Sequence, residues 1–265
     1  MSVPTDPGAE RKATRAPALA DGTPGEGRAV VQPAAGGGAS AGAGAGARAG
    51  EYLGVVFAGG ESRRMGQDKA LLPWPIGSAD SGESASLMER AARMLEGLCR
   101  RVEVARGPRG GAPDPGRPVI HDVAEGAGPL AGLLAALERA RELGAAGVVA
   151  LACDMPLVER GEIEPLFDAM SAGGGTACEA AMWVVDEREQ PLCAVYGIGC
   201  LPAARAAFKA GKRRLVAIFD PAATGGHVAV LKRLYPDEKT SVRLVNLNTM
   251  TDYDRVMRDL RPGGH

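Results

Sequence analysis

The chain has 265 residues, of which 45% are hydrophobic, and its 31 basic side chains nearly balance its 32 acidic ones. The hydrophobic content suffices for a folded core, whereas the lack of a basic excess and of any apolar run of about 20 residues argues against nucleic-acid and membrane partners. Five cysteines without a CxxC pair argue against a disulfide framework and indicate a reducing cytoplasm.

Residues 1–50 differ in composition from the rest of the chain. They contain 14 Ala, 11 Gly and 5 Pro and no aromatic residue, which leaves too little apolar surface to form a core. We therefore predict a disordered N-terminal extension over 1–50 and one folded domain over 51–262. Since the extension holds 5 basic and 4 acidic residues, the folded part is mildly acidic, and local groups must hold any phosphate that it binds.

The first part of this domain alternates between apolar runs and helical periodicity. Leu53–Phe57 is a predicted strand that ends in glycines, and the apolar spacing of Glu83–Leu98 predicts a helix. Pro129–Leu143 is a predicted helix that stops at Gly144. The continuous apolar run Val148–Ala152 predicts a strand that is buried on both faces. Two shorter strands are expected at Val102–Ala105 and Val119–Ile120.

The alternation continues to the end of the chain. Helices are expected at Ile163–Met170, Leu201–Ala210, Leu215–Phe219 and Tyr253–Leu260, and strands at Ala180–Val185, Leu192–Tyr196 and Val242–Val245. This order predicts a three-layer α/β fold with a mostly parallel, Rossmann-like sheet. Ligands of such sheets bind at the carboxyl ends of the strands, so we expect the functional residues there.

A glycine-rich loop, FAGGESRRMGQDK, follows the first predicted strand over Phe57–Lys69. Backbone N–H groups near its glycines can approach a phosphate without a Cβ in the way, and Arg64 and Lys69 supply positive charge. The order of residues is neither G-x-x-x-x-G-K-[ST] nor G-x-G-x-x-G. The residues alone leave open both a phosphate-binding loop and a plain strand-to-helix turn with solvated arginines.

Two acidic residues also follow predicted strands. Asp154 comes just after Val148–Ala152, where a carboxylate can hold Mg²⁺ together with phosphate oxygens, although a helix N-cap or an arginine partner is the alternative. Asp122 precedes a glycine-rich turn and can accept hydrogen bonds from ribose hydroxyls or from the N–H edge of guanine. A role of Asp122 in capping its own loop is the alternative.

Two amides lie two residues apart in a late extended segment, at Asn246 and Asn248. Residues with this spacing share one side of an extended chain, and their side chains offer both donors and acceptors to a heterocycle. A cap for the Thr249–Leu260 helix is the alternative, above all for Asn248.

Four segments together resemble one known family. Phe57–Lys69 resembles the signature L-A-G-G-x-S-x-R-M-G-x-D-K of the molybdenum cofactor guanylyltransferases, in the nucleoside-triphosphate transferase superfamily, with Phe57 in place of Leu. Three further segments resemble blocks of this family in the family's order. They are D…G-P-L-A-G from His121-Asp122 to Gly132, C-D-M-P at Cys153–Pro156, and N-x-N-T…D at Asn246–Thr249 with Asp252.

The resemblance implies a fold of the nucleotide-diphospho-sugar transferase type. It also implies transfer of GMP from GTP to molybdopterin, with or without molybdenum, giving molybdopterin guanine dinucleotide and pyrophosphate with Mg²⁺ as cofactor. Molybdenum-insertion and molybdoenzyme chaperone proteins are the further partners that it suggests. The implied roles are catalysis at Lys69, Asp154 and Arg64, GTP binding at Phe57, Ala58, Gly59, Gly60, Lys69, Asp122 and Asp154, a metal at Asp154, and the molybdopterin side at Asn246 and Asn248.

The chain departs from the family's pattern after the second strand. The family usually has an Asn there as a nucleotide contact, whereas this chain has Val104–Gly107 with Arg106 as the polar residue. Two alternative functions stay open, namely another nucleotidyltransferase of the superfamily, forming a cytidylyl or sugar-nucleotide product, and a nucleotide-binding protein without turnover.

Overall fold

The computed structural model describes residues 51–58, 68–75, 84–107, 116–123, 128–171, 179–227 and 229–260. The N-terminal extension and most of the glycine-rich loop lie outside these ranges, so disorder over 1–50 and a domain over 51–262 stay predictions. No helix within the described ranges is long and apolar enough to span a bilayer.

Seven strands form a central sheet within the described part of the chain. They are β1 (Leu53–Phe57), β4 (Arg101–Arg106), β5 (Val119–His121), β6 (Gly147–Ala152), β7 (Glu179–Val185), β8 (Arg188–Gly197) and β9 (Val230–Leu234). Their order across the sheet is β5-β4-β1-β6-β8-β7-β9. Only β8 runs antiparallel to its neighbours, which confirms the mostly parallel sheet. Two further strands, β2 (Pro73–Pro75) and β3 (Ser84–Ser86), pair in a separate ribbon.

Helices cover both faces of this sheet. They are α1 (Leu87–Glu96), α2 (Pro129–Glu142), α3 (Arg160–Ser171), α4 (Leu201–Lys209), α5 (Pro221–Thr224), α6 (Glu238–Arg243) and α7 (Met250–Asp259). Helices α1 and α3 pack against one face, and α2 and α4 against the other, which gives the expected three layers. Every residue of β1 is buried, because both faces of this strand are covered.

A smaller hydrophobic cluster, which we call the C-terminal cluster, joins the end of the chain to the ribbon. Its buried members are Leu72, Trp74, Leu87, Leu247, Tyr253 and Val256. The hydroxyl of Tyr253 on α7 also donates a hydrogen bond to the backbone carbonyl of Pro73. The last helix is therefore attached to the segment that directly follows Lys69.

The structure corrects one predicted strand and the start of one predicted helix. The strand predicted over Val242–Val245 is wrong, because Asp237 accepts a hydrogen bond from the N–H of Thr240 at 2.8 Å and begins α6, which includes Val242. The helix predicted from Glu83 begins only at Leu87, because the residues before it pair in β3 and the side chain of Ser86 caps the helix.

The first residues of β8 and the whole of β9 were not predicted from the sequence. Strand β8 begins at Arg188 rather than at Leu192, directly after a two-residue turn. Asp186 and Glu187 form this turn with φ values of 48° and 59°, which match the twist of a tight β-hairpin. Strand β9, with the mixed sequence VLKRL, lacks the apolar run by which the other strands were predicted.

Glu103 on β4 is a carboxylate that is only 1% exposed. It accepts hydrogen bonds from Nε of Arg101 at 2.6 Å and from Nε of Arg139 at 3.2 Å. We expect Glu103→Gln to lower the free energy of unfolding by about 1–3 kcal/mol in urea denaturation, because charge-assisted hydrogen bonds are lost in a buried place. Glu142→Gln, which removes an exposed partner of Arg139, should cost less than about 0.5 kcal/mol. Equal losses in the two variants would contradict this explanation.

Candidate active site

Three neighbouring parallel strands end at the same edge of the sheet. Phe57 at the end of β1 lies in register with Ala105 on β4 and with Ala152 on β6. Beyond the strands, the N–H of Ala58 donates to the carbonyl of Ala105 at 3.1 Å, and the N–H of Cys153 donates to the carbonyl of Phe57 at 3.2 Å. The residues that follow β1 and β6 therefore begin side by side, at the edge where ligands of such sheets bind.

Lys69 and Asp154 contact each other at this edge, although they are 85 residues apart in the chain. Lys69 begins a short 3₁₀ helix, Lys69–Leu71, which is capped by Asp68 through a 3.0 Å hydrogen bond from the N–H of Ala70. The ammonium group of Lys69 donates to Oδ2 of Asp154, and the two side chains are 22% and 12% exposed. A cation from the end of the glycine-rich loop thus meets the carboxylate that follows β6.

The second carboxylate oxygen of Asp154 has the properties of a metal ligand. Oδ1 is buried and has no hydrogen-bond partner among the described residues. A buried carboxylate oxygen without a partner is unfavourable, and Mg²⁺ would satisfy it because this cation takes carboxylate, phosphate and water oxygens. Asp154 therefore fits a magnesium ion that is held by one protein carboxylate and by the phosphates of a substrate.

Asp122 and Phe57 form a second group, on the face of the sheet that α2 covers. A Cβ built on Gly132 of α2 would lie 3.1 Å from Oδ1 of Asp122 and 3.2 Å from the ring atom Cε1 of Phe57. Only a glycine thus lets the carboxylate and the ring approach the helix so closely. Burial raises the pKa of the Asp122 carboxyl, and the charge of the neighbouring His121 partly opposes this increase.

The N-L-N-T segment lies next to Asp154. The N–H of Leu247 donates to the backbone carbonyl of Asp154 at 2.8 Å. Asn246 is half-buried and its amide donates to Oε1 of Gln190 at 3.3 Å, whereas Asn248 is exposed. The cap of α7 is Thr249, which exchanges hydrogen bonds with Asp252. The alternative role of Asn248 as the helix cap is therefore wrong, because Thr249 is the cap.

Several residues near the site had no signal in the sequence. Gln190 on β8 contacts Asn246. Two arginines on different helices bind the loop that follows Asp154. Arg90 on α1 donates to the carbonyl of Val158 at 3.2 Å, and Arg243 on α6 donates to the carbonyl of Leu157 at 3.4 Å. These are contacts between distant segments, which local patterns do not predict.

Of the other residues that the sequence singled out, the structure describes Arg106 but not those in the middle of the glycine-rich loop. Gly59, Gly60 and Arg64 lie outside the described residues, and their roles stay predictions. Arg106, at the position where the family usually has Asn, is half-buried and its guanidinium lies 3.7 Å from the sulfur of Met88.

Cys153, although it precedes Asp154, has the properties of a core residue. The side chain is buried, and this burial, with the neighbouring charge of Asp154, raises the pKa of its thiol to about 12. A thiol with such a pKa stays protonated near neutral pH and is a poor nucleophile.

The fold is that of a three-layer α/β protein with a mostly parallel sheet, and the charged pair lies at the carboxyl edge of this sheet. The structure is similar to the crystal structure of molybdopterin-guanine dinucleotide biosynthesis protein A from Archaeoglobus fulgidus, with a TM-score of 0.55 and 22% identity, over 77% of this chain and 95% of that protein. It is also similar to a protein of Aquifex aeolicus, with a TM-score of 0.54 and 23% identity, over 74% and 93% of the two chains. These similarities concern the fold.

Sequence comparison identifies the family. The profile of the MobA-like NTP transferase domain matches residues 54–227. A protein of Opitutus terrae named "Probable molybdenum cofactor guanylyltransferase" is 33% identical over 213 residues, which are 79% of this chain and 96% of the relative. A protein of Mycobacterium tuberculosis with the same name is 34% identical over 168 residues, which are 63% of this chain and 78% of the relative. The chain belongs to the MobA-like NTP transferase family and is a nucleotidyltransferase.

Proposed function

We propose that this chain transfers GMP from GTP to molybdopterin, with or without molybdenum, in a Mg²⁺-dependent reaction of the cytoplasm. The products are molybdopterin guanine dinucleotide and pyrophosphate. The observation that carries this proposal is the contact between Lys69 and Asp154 at the carboxyl ends of β1 and β6. The names of the relatives support the choice of GTP and molybdopterin.

The reaction needs no covalent intermediate on the protein. An oxygen of the terminal phosphate of molybdopterin forms a bond to the α-phosphorus of GTP, while the bond from this phosphorus to the bridging oxygen of the β-phosphate breaks. The nucleophile is already an anion, so no side chain has to remove a proton from it. The main barriers are the approach of two anions and the charge that develops on the leaving pyrophosphate, and both are lowered by fixed positive groups.

Lys69 and Asp154 have complementary parts in this chemistry. The ammonium group of Lys69 lies where β1 and β6 end, so it can donate to the phosphates of a nucleotide bound at this edge. Asp154 would hold Mg²⁺ through its carboxylate, and the ion would supply positive charge that offsets the charge of the phosphates. The backbone N–H groups of the glycine-rich loop and the side chain of Arg64 are the further donors that we propose for the phosphates.

We assign the other predicted site residues to the nucleoside of GTP and to molybdopterin. We assign the carboxylate of Asp122, which lies with the ring of Phe57 against Gly132, to hydrogen bonds with the nucleoside of GTP. The resemblance to the family is the reason for assigning Asn246 and Asn248, which flank Leu247, to the molybdopterin side. Molybdenum-insertion and molybdoenzyme chaperone proteins are the partners that we propose for delivery and removal of the cofactor.

Gly132→Ala tests the nucleoside end of the site. The added Cβ would press on the carboxylate of Asp122 and on the ring of Phe57, so we expect the KM for GTP to rise about 10-fold with a smaller change in kcat. The matched control is Gly161→Ala, because Gly161 also lies in a helix but has open space around its Cβ position. Steady-state kinetics of both variants check this. Similar KM values for the two variants would show that Gly132 does not shape the nucleoside site.

The direct test of the proposed function is pyrophosphate release. Purified protein is supplied with Mg²⁺, molybdopterin and GTP, CTP or UTP in turn, and we expect release with GTP and little with the other nucleotides. Preferred release with CTP or UTP would make the chain another nucleotidyltransferase of the superfamily. GTP binding without any pyrophosphate release would make it a nucleotide-binding protein.

A further inference from the structure

Leu247 contacts Asp154 and shares a hydrophobic cluster with residues that follow Lys69 in the chain. Its backbone N–H donates to the carbonyl of Asp154 at 2.8 Å. Its side chain is 1% exposed and belongs to the C-terminal cluster, together with Leu72 and Trp74. These two cluster residues closely follow Lys69 in the chain, in the 3₁₀ helix cap and in β2. Leu247 is therefore connected both to Asp154 and to the segment that follows Lys69.

Two neighbours of Leu247 strengthen this link. On the side of Asp154, Arg243 binds the carbonyl of Leu157 and forms an ion pair with Glu159 at 2.8 Å. On the side of Lys69, the hydroxyl of Tyr253 donates to the carbonyl of Pro73. The segment from α6 to α7 therefore bridges the loop after Asp154 and the ribbon after Lys69, with Leu247 in its middle.

We propose that Leu247 is a positioning residue, which fixes the carboxylate of Asp154 relative to Lys69. This inference rests on the proposed magnesium site at Asp154. Substitution of groups that orient a metal ligand typically weakens metal binding by about 10- to 100-fold.

The side chain of Leu247 is the part of this link that substitution can change. Leu247→Ala leaves a void in the C-terminal cluster and loosens the backbone that holds Asp154. With Mn²⁺ as the probe for Mg²⁺, we expect binding in the presence of GTP to be about 10-fold weaker. Leu247→Met keeps the volume of the side chain and should restore affinity to within about twofold of the natural protein. Electron paramagnetic resonance of free Mn²⁺, corrected for the Mn²⁺ that GTP binds in the absence of protein, measures both values without turnover.

A matched control separates positioning from loss of stability. Val256→Ala creates a void in the same cluster, but Val256 lies on α7 rather than beside Asp154. We expect a similar fall in melting temperature with Mn²⁺ affinity within about twofold of the natural protein. Equal loss of affinity in Leu247→Ala and Val256→Ala, or unchanged affinity in Leu247→Ala, overturns the proposal.

A milder pair of variants covers the case in which Leu247→Ala does not fold. Tyr253→Phe removes only the hydroxyl that binds Pro73, and we expect about 3-fold weaker Mn²⁺ binding. Tyr235→Phe changes an exposed tyrosine and should have no effect. Equal affinities for these two variants would count against the proposal.

Asp154→Ala in the same assay distinguishes a failure of this inference from a failure of the proposed function. If Asp154→Ala keeps full Mn²⁺ affinity, the magnesium site itself is wrong. If Asp154→Ala loses binding while Leu247→Ala does not, only the role of Leu247 is wrong.

Discussion

Asp154→Ala is expected to abolish Mg²⁺-dependent pyrophosphate release, with a loss of about 10³-fold or more, because the variant removes the only protein carboxylate that we assign to the metal. The fold should persist, since Oδ1 of Asp154 has no hydrogen-bond partner among the described residues and Lys69 is partly exposed to water. Turnover at saturating GTP and thermal unfolding of the same sample measure the two effects.

The control for this variant is Asp168→Ala, which removes an exposed carboxylate on α3. It should leave turnover unchanged. Retained Mg²⁺-dependent activity in Asp154→Ala would remove the metal assignment, and a large fall in melting temperature would show a structural role for the carboxylate instead.

Lys69→Ala is expected to lower kcat by about 10²-fold, which is the usual effect of losing one donor to developing charge in the transition state. Unlike Asp154→Ala, this variant should still bind Mn²⁺ in the presence of GTP, because the carboxylate is intact and has lost a competing cation from Oδ2. Single-turnover kinetics and metal binding together separate the roles of the two residues.

Lys239→Ala serves as the charge-matched control, because Lys239 is an exposed lysine on α6. An unchanged rate in Lys69→Ala would make the glycine-rich loop a simple turn. A rate loss that higher Mg²⁺ concentration fully restores would mean that Lys69 acts through the metal rather than on the phosphates.

The elements around the charged pair were predictable because their signals are local. Strands β1 and β6 are continuous apolar runs, and α2 has leucines at helical spacing before Gly144. Parallel strands end at one edge of a sheet, so the pattern indicated that residues after β1 and β6 meet there. The contact between Lys69 and Asp154 is consistent with that expectation.

Tertiary contacts determined what the sequence did not predict. The segment Val242–Val245 is β-prone, but its first two residues lie in α6 because Asp237 caps a helix there. The hydrogen bonds from Leu247 to Asp154 and from Asn246 to Gln190 join segments that are far apart in the chain. Such contacts depend on how the layers pack, and no residue pattern within one segment encodes them.

The most direct test of the account is a crystal structure of the protein with GTP and Mn²⁺, in which anomalous scattering locates the ion. We expect the ion about 2.0–2.3 Å from a carboxylate oxygen of Asp154 and in contact with phosphate oxygens of the same GTP. The ammonium group of Lys69 should then lie about 2.7–2.9 Å from one of these phosphates. A triphosphate bound away from the ends of β1 and β6, or an ion held without Asp154, would contradict the account.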